Sequence, residues 1–458
     1  MQNPYFYEFW YETVYYLKWY DLFLVPVYIL VINNIIKKYE KNKISSYPYY
    51  KYFTKGLMFK ITGCLLLFIV FNFYYGYGDT FGYYRTNECL TKLFLKNPIN
   101  FFKVWLGPNS VENYALFDTD TLFPPYWGDP QVFMIVRITA PLTILGFNSY
   151  LLTSLLLVCF SFSGIWKLYL LFISYFPGAY EKVSFACFFI PSVVFWGSGL
   201  LKDSITLSLI GWYCFSFNQC IIRRNSIVNY SIIFLISSYF ILSIKPYIFA
   251  CLIPTTAIWV AFAYYTKISN KFYRFLLIPI ISIFCVMGVF WLFDALSKEL
   301  QQFALDKVLT HALTVQNDLK QDYYEGTAFD IGDFEPTISG ALSKFPKAIT
   351  ATFFRPFLWE IKSPVVFFSA VESFFILIFS LKVFYEIGFF SFFKYILKSP
   401  ITAFTFSFSI IFGFSVGLTS ANFGSLVRYK IPCLVFYLVT LILVKFMHSQ
   451  KDNRTEVL

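Results

Sequence analysis

Residues 227–244, IVNYSIIFLISSYFILSI, contain no charged side chain, and neither do residues 246–266, PYIFACLIPTTAIWVAFAYYT. Only Lys245 separates the two stretches. A helix needs about 20 largely apolar residues to cross the hydrocarbon core of a bilayer. The sequence therefore predicts two transmembrane helices joined by a tight turn, the second of which begins at Pro246.

The rest of the chain shares this apolar character. Of its 458 residues, 58% are hydrophobic, 23% are aromatic and only 14% are charged, and the mean hydropathy is +0.60. These values exclude an ordinary soluble domain and predict a single all-α, polytopic integral membrane domain over residues 1–458. The net charge of +11 does not indicate nucleic acid as a partner, because the basic residues are scattered between apolar stretches.

About eleven stretches are long and apolar enough to cross a membrane. They lie near 20–36, 57–75, 148–172, 184–200, 203–221, 227–244, 246–266, 275–296, 364–382, 400–418 and 430–447. Two long segments remain between them, at 76–147 and 297–363, and we expect both to carry helices at the membrane interface. The stretch FFKVWL (101–106) is amphipathic, as such an interfacial helix requires.

The basic residues predict the orientation of these helices. Lys and Arg concentrate at 37–55, 223–224, 267–274, 382–398 and after 445. The positive-inside rule places such clusters in the cytoplasm. Alternating helices then put 76–147 and 297–363 outside, provided that 131–147 lies along the interface. We therefore expect a multi-pass protein of the inner, cytoplasmic membrane, with its N-terminus outside and its C-terminus inside.

An interrupted helix gives the sharpest local signal of a binding site. The sequence GSG (197–199) ends one apolar stretch, and a new helix begins with Lys202, Asp203 and Ser204. Free N–H groups and the positive end of the helix dipole bind anions at such a start, and Lys202 adds a full charge. This pattern predicts a phosphate or diphosphate ligand. In the alternative, Asp203 or Ser204 caps the helix and Lys202 extends to the membrane surface.

Other charged residues stand at the same predicted outer face, where the positive-inside rule disfavours cations. We therefore expect one pocket that binds an anionic ligand. The predicted phosphate-binding residues are Arg85, Lys202, Lys245, Arg355, Arg428 and Lys430, and the predicted catalytic carboxylates are Asp79, Asp203 and Glu360. Glu372 lies within a predicted span, so we expect it to face other helices and to find a partner there.

The sequence holds little that would bind a metal ion. Asp118 and Asp120 have the DxD spacing that holds a divalent ion on a diphosphate, but the motif is short and frequent by chance. The two histidines, His311 and His448, are far apart in the sequence and do not form a zinc motif. No cofactor is predicted, and a divalent ion at the two aspartates stays open as an alternative.

Four stretches resemble bacterial polytopic glycosyltransferases and surface-polysaccharide polymerases. They are GDTFGYYR (78–85), PSVVFWGSGLLKDS (191–204), FFRPFLWE (353–360) and FGSLVRYKIP (423–432). The first is similar to the acidic first outer loop of the GT-C glycosyltransferase superfamily, which implies that Asp79 is the catalytic carboxylate. The long loop at 297–363 is more similar to O-antigen-polymerase-type proteins, which implies that Arg355 and Arg428 bind lipid diphosphates.

The resemblance implies glycosyl transfer outside the cytoplasmic membrane. The expected partners are a polyprenyl-linked sugar donor, a glycan acceptor, membrane lipid and proteins of polysaccharide assembly. One alternative is a flippase or transporter of the same lipid-linked glycan, which would distribute charges through the membrane and often contain a repeat. The other is a non-catalytic scaffold in envelope assembly.

Overall fold

The computed structural model describes residues 16–265, 310, 313–318 and 328–455. In this part of the chain the regular elements are helices, with one isolated bridge between Ala328 and Asn422. The all-α prediction is confirmed for these residues. They form two compact units. The first unit holds 16–170, 187–220 and 225–246, and the second holds 171–186, 221–224 and the described residues from 247 onward.

The helices follow one another with short connections. In the first half of the chain they are α1 (Asp21–Ile44), α2 (Phe53–Ile69), α3 (Asp79–Lys96), α4 (Pro98–Leu106), α5 (Val111–Tyr114), α6 (Pro130–Leu145), α7 (Tyr150–Tyr175), α8 (Tyr180–Phe188), α9 (Pro191–Trp196), α10 (Lys202–Phe217), α11 (Ile227–Ile244) and α12 (Pro246–Tyr265). In the second half they are α13 (Ile338–Ser343), α14 (Phe345–Phe354), α15 (Pro364–Ile387), α16 (Phe389–Ile396), α17 (Pro400–Thr419), α18 (Phe423–Tyr429) and α19 (Ile431–Thr455).

Nine helical segments of the described residues are long and apolar enough to cross a membrane. They are Asp21–Ile44, Pro48–Tyr75, Tyr150–Tyr175, Lys202–Ile222, Ile227–Ile244, Pro246–Tyr264, Pro364–Ile387, Pro400–Thr419 and Ile431–Gln450. Each coincides with one of the predicted spans, so the prediction of a polytopic membrane protein is supported. The predicted span at 275–296 lies outside the described residues.

The predicted span at 184–200 is not one continuous helix. Two short helices, α8 and α9, occupy this stretch, with residues 189–190 between them. Pro191 explains the interruption, since proline has no N–H to donate and is suited to the first turn of a new helix. α9 then runs beside α2, where a Cβ added at Gly63 would lie 2.4 Å from the carbonyl oxygen of Val194.

The chain between α9 and α10 departs from helical geometry at residues 197–201, a segment we call the break. Polar side chains bond the carbonyl groups that the break exposes. The ammonium of the buried Lys60, on α2, donates to the carbonyl oxygen of Gly197. The hydroxyl of Ser204 donates to that of Gly199 at 2.7 Å. Non-helical backbone at membrane depth is tolerated only when such bonds satisfy it.

Residues 76–147 build a small core of their own from α3, α4 and α6. Its members are Cys89, Leu90, Leu93, Phe101, Val104, Phe117, Phe133, Val136 and Ala140. α4 presents Phe101 and Val104 to this core and leaves Ile99, Phe102 and Leu106 exposed. It therefore has the amphipathic form expected of an interfacial helix. α6 is a 16-residue apolar helix that packs against α3 and α11.

Helices α7 and α10 approach each other closely in the first unit. A Cβ added at Gly164 would lie 2.0 Å from the carbonyl oxygen of Ser208, and one added at Gly211 would lie 2.0 Å from that of Gly164. Small residues are what allow two membrane helices to pack backbone against backbone. The two glycines are therefore required by the packing.

We expect Gly211→Ala to lower the stability of the protein by about 1–3 kcal/mol, because the added methyl forces the two backbones apart. The thermal unfolding midpoint of the purified protein in detergent measures this change. Gly128→Ala is the matched control, since a Cβ added at Gly128 meets no atom within 4 Å. Equal midpoints for the two variants would contradict the close packing of α7 and α10.

Candidate functional site

The start of α10 has the form of an anion-binding site. Leu201 occupies the N-cap position and has no side-chain acceptor to bond the first-turn N–H groups. At the break just before it, the hydroxyl of Ser198 is completely buried and has no hydrogen-bond partner among the described residues. Serine, threonine, aspartate or asparagine normally fills an N-cap. A helix start that lacks one leaves its positive end available to an anion.

Two of the predicted site residues bind each other beside this helix start. The ammonium of Lys245 lies 2.6 Å from a carboxylate oxygen of Asp203, and the two side chains are only 8% and 3% exposed. Lys245 is the C-cap of α11, whose last turn thereby packs against the first turn of α10. Asp203 does not act as a free carboxylate here, and the pair joins the two helices.

Lys202 differs from Lys245. It is half-buried, and its ammonium forms no hydrogen bond or ion pair with another described residue. Its charge is attracted by the carboxylates of Asp129, Asp79 and Asp203, in that order, and is repelled by Lys245. Lys202 is therefore the cation of this group that is available to a ligand. The group formed by Asp79, Asp129, Lys202, Asp203 and Lys245 is called the α10 site below.

Asp79 enters the α10 site as the first residue of α3. Its position depends on Gly78, which has φ +141° and would place a Cβ 2.5 Å from the ring of Phe71. Few residues other than glycine adopt this backbone conformation. The predicted catalytic carboxylate is therefore held in place by a turn that the sequence GYGD encodes.

Two residues of this region were missed by the sequence analysis. Asp129 caps α6, and its Oδ1 accepts hydrogen bonds from Gln131 N at 2.9 Å and Val132 N at 3.0 Å. The signal was present, since an aspartate before a proline is typical of a helix start. Tyr126 lies close to Asp79 and Asp129: burial raises the pKa of its phenol, and the two carboxylates raise it further.

Arg85, one turn and a half along α3 from Asp79, contacts Tyr16. Its Nε donates to the Tyr16 hydroxyl, and its guanidinium lies 5.6 Å from the centre of that ring. Tyr16 in turn stacks on Phe81 at 4.2 Å. This contact links the residues that precede α1 to α3, so it gives Arg85 a structural role besides the predicted one.

In the second unit, a predicted phosphate ligand and a predicted base are paired. The guanidinium of Arg355 donates to both carboxylate oxygens of Glu360, and Glu360 Oε2 also accepts the N–H of Phe357 at 2.8 Å. The guanidinium lies 4.6 Å from the ring centre of Phe329 and 5.5 Å from that of Phe423. A carboxylate bound in this way orients an arginine.

Lys430 is completely buried behind this pair. Its ammonium donates to the carbonyl oxygen of Arg355 and to the hydroxyl of Ser373, both at 3.0 Å. The buried carboxylate of Glu372 attracts its charge. The expectation that Glu372 faces other helices therefore holds, and Lys430 positions the Arg355 backbone. Arg428, also predicted to bind phosphate, is half-buried on α18.

The two aspartates of the DxD motif share a lysine. Lys96 lies 2.6 Å from Asp118 Oδ2 and 2.6 Å from Asp120 Oδ2. The hydrogen bond from Lys96 lowers the pKa of Asp118 to about 2. No group of three His, Cys, Asp or Glu side chains within the described ranges is arranged to hold a metal ion.

The comparisons with known proteins add no assignment: no protein-family model, no curated protein and no solved structure matches this chain. Asp79, Lys202, Asp203 and Lys245 meet in the first unit, and Arg355, Glu360 and Lys430 meet in the second. The expectation of a single pocket stays a prediction. The same holds for the resemblance to glycosyltransferases and polymerases.

We expect Lys245→Met to destabilise the protein by about 3–5 kcal/mol, because the buried carboxylate of Asp203 loses the ammonium of Lys245. The double variant Asp203→Leu/Lys245→Met removes both charges, so much of the lost stability should return. Thermal unfolding in detergent measures both effects. Lys96→Met, which breaks an exposed contact, is the control and should change the midpoint little. A double variant no more stable than Lys245→Met would contradict the pairing.

Proposed function

We propose that this chain transfers sugars from polyprenyl phosphate or diphosphate carriers to a glycan acceptor at the outer face of the cytoplasmic membrane. The α10 site is the observation that carries the proposal. It combines an available ammonium at Lys202, an uncapped helix start and the carboxylates of Asp79 and Asp129. Glycosyl transfer needs a cation for the leaving phosphate and a carboxylate for the acceptor hydroxyl.

In the proposed reaction, Asp79 accepts the proton of an acceptor hydroxyl while the acceptor oxygen bonds to the anomeric carbon of the donor sugar. The bond between that carbon and the phosphate oxygen breaks, and its electron pair leaves with the lipid phosphate. Lys202 and the start of α10 stabilise the negative charge of the leaving phosphate. Lys245 and Asp203 position α10 through their ion pair.

The second unit holds a predicted phosphate ligand of its own. In the proposal Arg428 binds lipid phosphate within that unit, for which its guanidinium is suited. The Nη1 atom of Arg355 lies 3.5 Å from the carbonyl oxygen of Asp330. Glu360 binds the Nε and Nη2 atoms of the same guanidinium. Glu360 is therefore reassigned from general base to positioning residue. The base remains Asp79.

A second candidate function is transport of a lipid-linked glycan, which one observation favours. Lys60 stands within the span Pro48–Tyr75, is buried, and donates to the carbonyl group at the break between α9 and α10. Interrupted helices with charged residues at membrane depth form the substrate sites of many transporters. A non-catalytic scaffold in envelope assembly is the third candidate.

We expect Lys202→Gln and Arg428→Ala each to abolish the glycan product, because each removes a cation that the proposal assigns to binding lipid phosphate. The assay is a gel and mass-spectrometric profile of surface glycans and lipid-linked precursors in a strain that lacks the gene and carries each variant. Lys103→Gln, which removes an exposed charge on α4, is the matched control. Normal product in both site variants would refute the assignment.

The same profile separates the candidates. Complete repeat units that accumulate outside the membrane, without long chains, indicate a polymerase, and a precursor short by one sugar indicates a single-sugar transferase. Precursor that accumulates at the inner face indicates a transporter. An unchanged profile on deletion of the gene refutes both activities.

We expect alkaline phosphatase fused after Asn109 to be active and the same enzyme fused after Lys398 to be inactive, since the proposed orientation puts Asn109 outside and Lys398 in the cytoplasm. Phosphatase activity in whole cells measures the location of each fusion point. Immunoblots of both fusions control for expression. Activity at Lys398 would contradict the orientation.

A further inference from the structure

Helix α16 lies where the chain leaves the membrane. It spans Phe389–Ile396, between α15, which ends at Ile387, and α17, which begins at Pro400. Both neighbours are long and apolar enough to cross a bilayer. Gly388, with φ +78°, makes the turn between α15 and α16. A short helix between the ends of two spans is confined to the membrane surface.

One face of α16 packs on the second unit. Phe392, Tyr395 and Ile396 are buried there. The ring centre of Phe392 lies 4.5 Å from that of Phe384 on α15 and 6.1 Å from that of Phe406 on α17. These contacts fix the rotation of the helix about its axis, and therefore decide which side chains point away from the protein.

The opposite face is apolar and exposed. Phe390 is 88% exposed, Phe389 is 60% and Leu397 is 59%, and Phe393 stands beside them at 37%. Large apolar side chains grouped in this way on a surface mark a contact with lipid or with another protein. In a bilayer that α15 and α17 cross, this face lies at the depth of the lipid headgroups and the first acyl carbons.

Two lysines accompany the exposed aromatic side chains. Lys394 and Lys398 are both exposed, and the ammonium of Lys398 lies 4.2 Å from the ring centre of Tyr395. Neither lysine forms an ion pair with a carboxylate of the described residues. The nearby carboxylate of Glu386 is bound by Lys445 at 2.5 Å and Lys382 at 3.9 Å. The outer side of α16 is therefore both apolar and positively charged.

We propose that α16 is an interfacial helix that binds anionic phospholipid. Phe389, Phe390 and Leu397 enter the acyl region, while Lys394 and Lys398 bind the phosphates of lipids beside the helix. A basic helix with aromatic residues on its apolar side is suited to such a surface. This assignment is independent of the proposed glycosyl transfer, since it uses no residue of the α10 site.

The test measures lipid binding to the full chain. The protein, delipidated in detergent, is titrated with phosphatidylglycerol and with phosphatidylcholine of the same acyl chains, and bound lipid is counted by native mass spectrometry. We expect a preference for phosphatidylglycerol that falls about fivefold for each lysine removed in Lys394→Gln/Lys398→Gln. Lys394→Arg/Lys398→Arg keeps the charge and should keep the preference.

Lys37→Gln/Lys38→Gln is the matched control, because it removes the same charge from an exposed pair on α1. An equal loss of preference in this control would overturn the proposal, since total charge would then explain it. An unchanged preference in Lys394→Gln/Lys398→Gln would also overturn it. A competition with polyprenyl phosphate is a further test. If polyprenyl phosphate displaces phosphatidylglycerol from the wild type but not from Lys394→Gln/Lys398→Gln, the two lysines bind the sugar carrier, and the proposal is overturned.

The apolar part of the contact is tested separately by Phe390→Ser/Phe393→Ser. This variant should bind both lipids more weakly and keep the preference between them, because it removes insertion and leaves the charge. Thermal unfolding confirms that each variant is folded before its lipids are counted. Unchanged binding of both lipids would show that the aromatic face does not enter the bilayer.

Discussion

Every backbone N–H and C=O group that enters the hydrocarbon region has to be bonded within the protein, and this requirement shapes the fold. The described residues meet it with helices, of which nine segments have the length and composition of a span. At the break the helical bonds stop. There the ammonium of Lys60 and the hydroxyl of Ser204 supply bonds to the carbonyl groups of Gly197 and Gly199. The start of α10, which forms the α10 site, depends on these two hydrogen bonds.

The hydrocarbon region contains almost no water, and this also determines what the charged residues do. A charge withdrawn from water needs a partner, so most of the predicted ligands bind other parts of the protein first. Lys245 binds Asp203, and Arg355 binds Glu360. Lys430 donates a hydrogen bond to the backbone carbonyl oxygen of Arg355. These residues position helices, which is a different role from binding a donor phosphate.

Lys202 stands apart because its attraction to Asp79 and Asp129 acts over a distance and leaves its ammonium available. A phosphate bound there would be near both a cation and a carboxylate, as glycosyl transfer requires. The buried Lys60, which bonds the break before α10, is the feature that favours transport as the alternative function. The two functions make different use of the break. In glycosyl transfer the break positions the start of α10, whereas in transport it lines the path of the lipid-linked glycan.

The apolar runs of the sequence by themselves determined the membrane class, the helical fold and the position of nine spans, because span length and composition are local properties. Glycine and lysine at 197–202 also marked the helix start. The sequence did not show that 184–200 is two helices, that the carboxylate of Asp129 attracts Lys202, or that Arg355 and Glu360 are paired. Those facts depend on which helices pack together, and only the tertiary structure decides which charge meets which partner.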